Sequence, residues 1–346
     1  MSPTRVAERR RKRAGICCGG NWLLDFVKII DAYPAEERLA NILEESVGNG
    51  GAPYNVLVDL ARIDPDLPLE GVGVIGRDEN SRRIMADIRR YRIRPVGIFR
   101  TDRLPTAYTD VMTDRKTGRR TFFHNRGANR LLGPEHFDFK RIRAEILHVG
   151  YALLLDGLDA SDPRHGTGMA RVFHSARAAG LKTSLDVVSD QDRARFRQVV
   201  SPALPEVDYL ILNEFEAGAL SGLELDPKRP REGFAAAARR LFDAGVRELV
   251  IIHMAVGAWL FSRKGEAFFQ PAHQLPAGFI RSTVGAGDAF CAGILYGLVK
   301  GLDQAGCMKF ANAAAALSLS AATASDGLPR RRRIEAFARR TPCLNL

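Results

Sequence analysis

The sequence predicts an α/β fold: a doubly wound, mostly parallel sheet with helices on both faces, plus a small β-sheet lid. Three observations lead there. From residue 145 onward, short apolar runs alternate with helix-length runs, the signature of a parallel sheet with crossover helices. Between residues 94 and 125 the runs shorten, and a polar stretch, residues 113–118, separates two of them like a hairpin turn. The chain has 346 residues, 46% of them hydrophobic, enough for one large core and a small accessory unit.

In chain order, residues 1–13 are a basic, disordered arm. Residues 16–31 form a buried strand leading into a second strand, and Gly48-Asn49-Gly50-Gly51 is a flexible turn. A helix over 53–63 follows, with proline in its first turn. Residues 71–76 match G-x-G-x-x-G, but the glycines fall inside the β-branched run and a polar turn follows. A dinucleotide fingerprint should instead follow a strand and open a helix, so this segment is a strand. A helix covers 81–91. Lid strands are expected at about 24–48 and 94–125. The alternating part contributes strands at 146–150, 183–187, 209–213 and 248–253. Its helices span 168–179 and 231–244, each followed by glycine, Gly180 and Gly245. A hairpin starts at Trp259, and helices at 287–300 and 305–321 close the domain. Residues 331–346 are a basic tail. The folded domain is 14–330.

The net charge of +11 narrows the function classes once it is located. Arg5, Arg9, Arg10, Arg11, Lys12 and Arg13 crowd one end, and Arg330–Arg333, Arg339 and Arg340 the other. The body between them is nearly neutral. Apart from Phe337, no aromatic residue interleaves these runs, so they are expected to be solvated tails and nucleic acid is not the expected partner. No apolar stretch reaches membrane-spanning length, and no secretory signal is present. The five cysteines have no C-x-x-C spacing, which fits reduced thiols in a cytoplasmic protein.

Candidate chemistry gathers at strand ends, where ligands bind in such sheets. In Arg281-Ser282-Thr283-Val284-Gly285-Ala286-Gly287-Asp288-Ala289-Phe290, a Gly-Ala-Gly turn opens an apolar helix. Its backbone N–H groups form an anion nest. Asp288 beside the nest is either a general base or an N-cap. Asn213 and Glu216, three apart after a strand, either hold a hydrated Mg²⁺ or form a capping box. Asp25, near Gly20 and Asn21, either accepts substrate hydroxyls or is a turn acid. Gly50, Gly51 and Asn55 either admit a ligand close to the backbone or make an ordinary loop. His148, His165 and His253 show no metal-ligand spacing. No P-loop and no G-x-S-x-G elbow occurs.

In this order the segments resemble the ribokinase-like (PfkB) carbohydrate kinases, over roughly residues 14–330. Residues 283–290 are similar to the signature D-T-x-G-A-G-D-x-F, and Asn213-x-x-Glu216 to the N-x-x-E motif. The resemblance implies Asp288 as catalytic base and the amides of Gly285, Ala286 and Gly287 as anion hole. It implies Asn21, Asp25, Gly50, Gly51 and Asn55 at the substrate. Asn213, Glu216, Gly257 and Asn312 would lie near the nucleotide, with Glu216 reaching Mg²⁺ through water. ATP and Mg²⁺ are the expected cofactors. The reaction implied is phosphorylation of a sugar hydroxyl, with a nucleoside as the alternative acceptor. Ser282 replaces the Asp that helps relatives hold a monovalent cation, which leaves K⁺ open. Ala255 replaces a glycine of the nucleotide turn, which leaves donor preference open. A nicotinamide-dependent oxidoreductase, resting on residues 71–76, and a nucleic-acid binder, resting on the tails, are remoter alternatives. The exposed lid sheet suggests a homodimer.

Overall fold

The computed structural model describes residues 13–190 and 192–345. The first lobe of the chain contains β1 (Ile16–Gly20), β2 (Leu23–Ile30), β3 (Ile42–Gly50), α1 (Ala52–Ile63), β4 (Leu69–Gly76) and α2 (Glu79–Arg90). Next come β5 (Arg94–Thr101), β6 (Ala107–Asp114), β7 (Arg120–Asn125) and β8 (Ile146–Ala152). A short α3 (Asp156–Asp159) and the pair β9 (Ser161–Asp162) and β10 (Gly166–Thr167) lead to α4 (Gly168–Ala178) and β11 (Lys182–Val187). After a turn at α5 (Arg193–Arg195) come β12 (Tyr209–Asn213), α6 (Glu214–Ser221), α7 (Phe234–Asp243) and β13 (Leu249–Met254). The chain ends with β14 (Gly257–Ser262), β15 (Ala267–Pro271), α8 (Ala286–Val299), α9 (Gln304–Ser318) and α10 (Arg331–Arg340).

Nine strands form one sheet in the order β15-β14-β13-β12-β11-β8-β1-β4-β5. It is parallel from β5 to β13, and β14 and β15 add an antiparallel edge. The chain goes from β1 out to β4 and β5, then returns to β8 on the other side of β1. That reversal is a topological switch point, which leaves a crevice at the carboxyl ends of β1 and β8. One sheet face packs on α1, α8 and α9 through Trp22, Tyr54 and Phe290; the other packs on α4, α6 and α7 through Phe173, Phe196 and Phe234. Close approach of α8 and α9 requires small residues. A Cβ on Gly293 would lie 2.6 Å from Ala311 Cα, and one on Gly297 2.6 Å from Cys307 Sγ.

The G-x-G-x-x-G segment is β4, buried throughout. Its glycines make room for Trp22, since a Cβ on Gly73 would fall 2.2 Å from the indole ring. Trp22 stacks on Tyr54 and donates Nε1–H to Val72 O at 2.9 Å. The motif therefore serves packing, and the oxidoreductase alternative loses its basis.

Several boundaries differ from the sequence expectation. The lid is the four-stranded sheet β3-β2-β6-β7, and β5 belongs to the main sheet, parallel to β4. As an edge strand, β5 is buried on one side only, so its pattern mimics a hairpin strand. Gly48-Asn49-Gly50 is not a turn: it ends β3, paired with Asp25, Leu24 and Leu23 of β2. Helix α7 starts at Phe234, after Gly233 at φ 78°. The basic tail is also ordered. In α10, Ile334 is fully buried and Phe337 and Ala338 pack beside it, an i, i+3, i+4 stripe that the arginines mask in composition. Of the N-terminal arm, residues 1–12 lie outside the described residues. Arg13 is anchored, donating to the carbonyls of Ile142, Ala144 and Ala179. Among the described residues, no helix is long and apolar enough to cross a membrane.

Candidate active site

Asp288 lies in the first turn of α8, after Gly285 as N-cap with φ 75°. Only glycine fits there: besides the left-handed backbone, a Cβ would lie 2.6 Å from Ala324 O. No side chain caps the first turn of α8, and the Ala286 N–H meets Thr283 O at 3.4 Å. Asp288 is 4% exposed, and both carboxylate oxygens are held. Asn55 Nδ2 donates to Oδ2 at 2.7 Å, and Tyr151 O–H donates to Oδ1 at 2.7 Å. Burial and the nearby Asp186 charge push its pKa up to about 7.

Tyr151 was not visible as a site residue in the sequence; nothing in its strand spacing distinguishes it from a core aromatic. It sits at the end of β8, and its N–H donates to Asn21 Oδ1 at 2.7 Å. Asn21 is fully buried and its amide also donates to Leu154 O at 3.4 Å. It therefore orients Tyr151 and presents no surface to a ligand. Asn55 is likewise engaged on both sides, accepting from Asn49 Nδ2 at 2.6 Å.

The lid supplies Asp25. Burial, then the Asp288 charge, raise it to about 7, against a hydrogen bond from Thr109. The neighbouring glycines follow from this packing. A Cβ on Gly50 would lie 2.6 Å from the Asp25 carboxylate, and one on Gly51, at φ 86°, 2.3 Å from Asn21 O. Strand register puts Thr109, His124, Val111, Phe122, Thr113 and Arg120 on the same lid face as Asp25. His124 is thus a strand residue facing inward. Its Nδ1 meets Thr109 Oγ1 at 3.0 Å and its Nε2 is buried without a partner. Arg120 reaches from the lid to the loop before α8, donating to Ser282 Oγ at 3.2 Å and Thr283 Oγ1 at 3.3 Å.

Asn213 and Glu216 form the capping box of α6. Asn213 Oδ1 accepts from Glu216 N and Glu216 Oε2 from Asn213 N, both at 2.9 Å. Glu216 Oε1 also accepts from Ser189 Oγ at 2.8 Å, and burial lifts its pKa to about 8. The two residues still border a cavity of about 350 Å³ shared with Asp186, Asp288 and Gly287. Asp186 Oδ1 is buried in it without a hydrogen-bond partner. Its other oxygen lies 3.6 Å from His148 Nε2, which is 3.7 Å from Cys291 Sγ. These three residues, dispersed in sequence, bring their ligand atoms within 4.8 Å of one another.

A second, apolar cavity of about 550 Å³ adjoins the nest, lined by Met254, Ile280, Phe290 and Leu319 among others. Asn312 is on its wall, donating to Gln270 O at 3.0 Å and Pro271 O at 3.1 Å. His273 is there too, with Nε2 buried and unpartnered. His253 separates the two cavities: it lines both, packs on Phe290, and is kept neutral by burial, with a pKa of about 4. Gly257 is not in the lining. It starts β14, where a Cβ would lie 2.5 Å from Gln270 O.

A charge-lined cavity, the glycine turn that opens α8 and an apolar cavity thus lie side by side next to Asp288. The family model described as pfkB family carbohydrate kinase matches residues 16–331. The chain belongs to this family. As a pfkB-family carbohydrate kinase it is a phosphotransferase with a ribokinase-like fold. It is 27% identical over 302 residues to an ATP-dependent ribose-1-phosphate kinase of Halopiger xanaduensis, covering 86% of this chain and 88% of that protein. Arabidopsis thaliana ribokinase, solved with ribose and ATP, superposes with a TM-score of 0.77 at 21% identity, covering 94% and 99% of the two chains. A Methanocaldococcus jannaschii nucleoside kinase superposes with a TM-score of 0.72 at 19% identity, covering 95% and 99%.

The buried acids of this kinase have a measurable cost. Asp25, Asp288 and Glu216 hold protons in the folded state up to about pH 7, 7 and 8. Unfolded, they release them near 4. Their stabilisation is complete below the unfolded values and is lost as pH rises through the folded ones. His253, depressed to about 4, works in the opposite sense only below its unfolded value of about 6.5. The melting temperature of the ligand-free protein is therefore expected to fall between about pH 4 and 8, most steeply between about 6.5 and 7 where His253 no longer opposes the acids, and to level off above about 8. A flat or rising profile in calorimetry would contradict these assignments.

Proposed function

We propose that the chain transfers the γ-phosphoryl group of ATP to a sugar hydroxyl, with Asp288 as general base. The carrying observation is the position of Asp288: its carboxylate stands at the nest, held by Asn55 and Tyr151, between the lid and the apolar cavity. Phosphoryl transfer depends on positioning and charge stabilisation, and these residues divide that work. Asp25, with Gly50 and Gly51 leaving it space, binds substrate hydroxyls beneath the lid, and His124 Nε2 offers a further hydrogen bond. Asn21 and Asn55 hold Tyr151 and Asp288 in place. The amides of Gly285, Ala286 and Gly287 receive the phosphoryl oxygens. Asn312 and His273 border the adenine, and Gly257 shapes the hairpin beside it.

Mg²⁺ fits the donors present. Asp186 Oδ1 is a buried carboxylate oxygen without a partner, and Glu216 is near enough to act through water. Bound there, the ion would neutralise phosphate charge. Sugar and ATP are the expected small-molecule partners. Exposed Tyr33, Leu39, Ile42 and Phe123 on the lid side suit pairing of two lids in a homodimer.

A nucleoside acceptor is the second reading. Phe122, 59% exposed on the inner lid face and lining the cavity, offers a ring on which a base can stack. A panel of ribose, ribose 1-phosphate, other sugars and nucleosides with ATP and Mg²⁺, read as ADP formed, decides between them. No acceptor-dependent ADP with any of them would refute the proposal.

Turnover is expected to be the same in KCl, NaCl and choline chloride. The hydroxyl of Ser282 carries no charge and already accepts from Arg120. A several-fold activation specific to K⁺ would show that other groups hold a cation there.

A further inference from the structure

A cavity of about 770 Å³ lies away from Asp288, at the C-terminal ends of α1 and α2 and the N-terminal end of α10. Five arginines line it: Arg62, Arg90, Arg92, Arg330 and Arg333, with Asp66 the single acid. Arg62 is bonded to Asp326 and to Leu328 O, and Arg90 lies over the Tyr91 ring. Arg92, Arg330 and Arg333 have no ion-pair partner among the described residues.

The positions of these arginines oppose simple helix electrostatics. Basic residues at the ends of α1 and α2 complement the negative helix terminus. Arg330 to Arg333 do the reverse: they crowd the positive end of α10, whose N-cap makes no side-chain bond and whose first turn has no acid. Guanidinium groups thus converge on one cavity, which suits a multiply charged anion. Arg92 is held at φ 54°, a conformation rare for a side chain of this size, beside the same cavity.

The cavity is mechanically joined to the active site. Arg62 grips Asp326 O at 2.9 Å and Leu328 O at 3.2 Å. The same segment contains Ser325, which accepts from Asn49 at 3.0 Å, and Ala324, which packs on Gly285, the N-cap of the nest. Helix α1 runs in parallel from Asn55, bonded to Asp288, to Arg62.

We propose that this cavity is a regulatory site for a linear polyphosphate, free or carried by a nucleotide. An anion that draws Arg62 away from Asp326 and Leu328 slackens the 324–328 segment beneath the nest and lowers turnover.

The test uses inorganic tripolyphosphate as probe, at fixed free Mg²⁺, on the full-length wild type and an Arg92→Ala/Arg333→Ala variant. Both positions are exposed and unpaired, so the variant should retain its fold and basal activity. In calorimetry the wild type is expected to bind one equivalent more than the variant, or to bind it at least about tenfold more tightly. At saturating ATP and acceptor, the probe should lower kcat of the wild type about fivefold or more and leave the variant unaffected. A non-hydrolysable ATP analogue in a second arm tells the sources apart: tighter binding than tripolyphosphate at the extra site identifies a nucleotide, weaker binding a free polyphosphate. Identical stoichiometry and affinity in the two proteins would remove the site. An unchanged wild-type kcat with the probe bound would remove the coupling. The calorimetric result stands independently of which acceptor the kinase uses.

Discussion

Asp288→Asn is expected to lower kcat by about 10²–10⁴-fold, the range for loss of a general base, with ATP affinity nearly unchanged. The substitution is close to isosteric. The new amide retains one oxygen to accept from Asn55 or Tyr151, which are 2.7 Å away on either side in the wild type. Stability should move the other way. A carboxylate pushed up to about 7 by burial is a charged group in an unfavourable setting above that pH. Removing it should raise the melting temperature most at pH 8 and progressively less toward pH 4, below which the acid is protonated in the folded and unfolded chain alike. In the wild type the same group should give kcat/KM a rising limb near pH 7, because that parameter reports the free enzyme. Normal turnover of the Asp288→Asn variant, measured by ADP release on the preferred acceptor, would end the general-base assignment.

Arg120→Ala should be the second most damaging change, about 10²–10³-fold in kcat, comparable to loss of an oxyanion-stabilising donor. Arg120 is the lid cation that crosses to Ser282 and Thr283, just ahead of the nest. Burial lowers its pKa, and no carboxylate pairs with it among the described residues. Its charge is therefore available to a phosphoryl group passing between nest and acceptor. Arg120→Lys keeps the charge but loses the two-pronged bridge, and should recover part of the activity. The split between parameters is diagnostic. A residue that only latches the lid would raise KM for the acceptor with kcat preserved, whereas a charge-stabilising one lowers kcat.

Much of this architecture was legible in the sequence, for a local reason. Strand–helix alternation after residue 145 sets a parallel sheet, because apolar period and length are local properties of each segment. The Gly-Ala-Gly turn before α8 was equally readable, since the need for a left-handed Gly285 is written in one residue. Asp288, Asn213 and Glu216 could be named, though each had a plain alternative. For Asn213 and Glu216 the capping box is indeed formed, and the same pair borders the cavity.

What spacing could not reveal depends on register and on distant partners. Strand β5 reads like a lid strand, and only its pairing with β4 assigns it to the main sheet. Tyr151 is an ordinary strand aromatic until Asn21, 130 positions away, turns it toward Asp288. His148, Asp186 and Cys291 lie on three separate elements, and only the stacking of β8, β11 and α8 brings them together. The arginines after residue 329 look like a solvated tail by composition, yet Ile334 and Phe337 dock them as α10. Local chemistry thus carried the α/β pattern, the glycine turn that opens α8 and the motifs whose resemblance pointed to a kinase. Tertiary packing decided which groups hold the Asp288 carboxylate, which lid face meets it, and where the remaining positive charge collects. The reason is physical: helix, turn and nest follow from neighbouring residues, whereas burial, pKa and charge pairing arise between residues far apart in the chain.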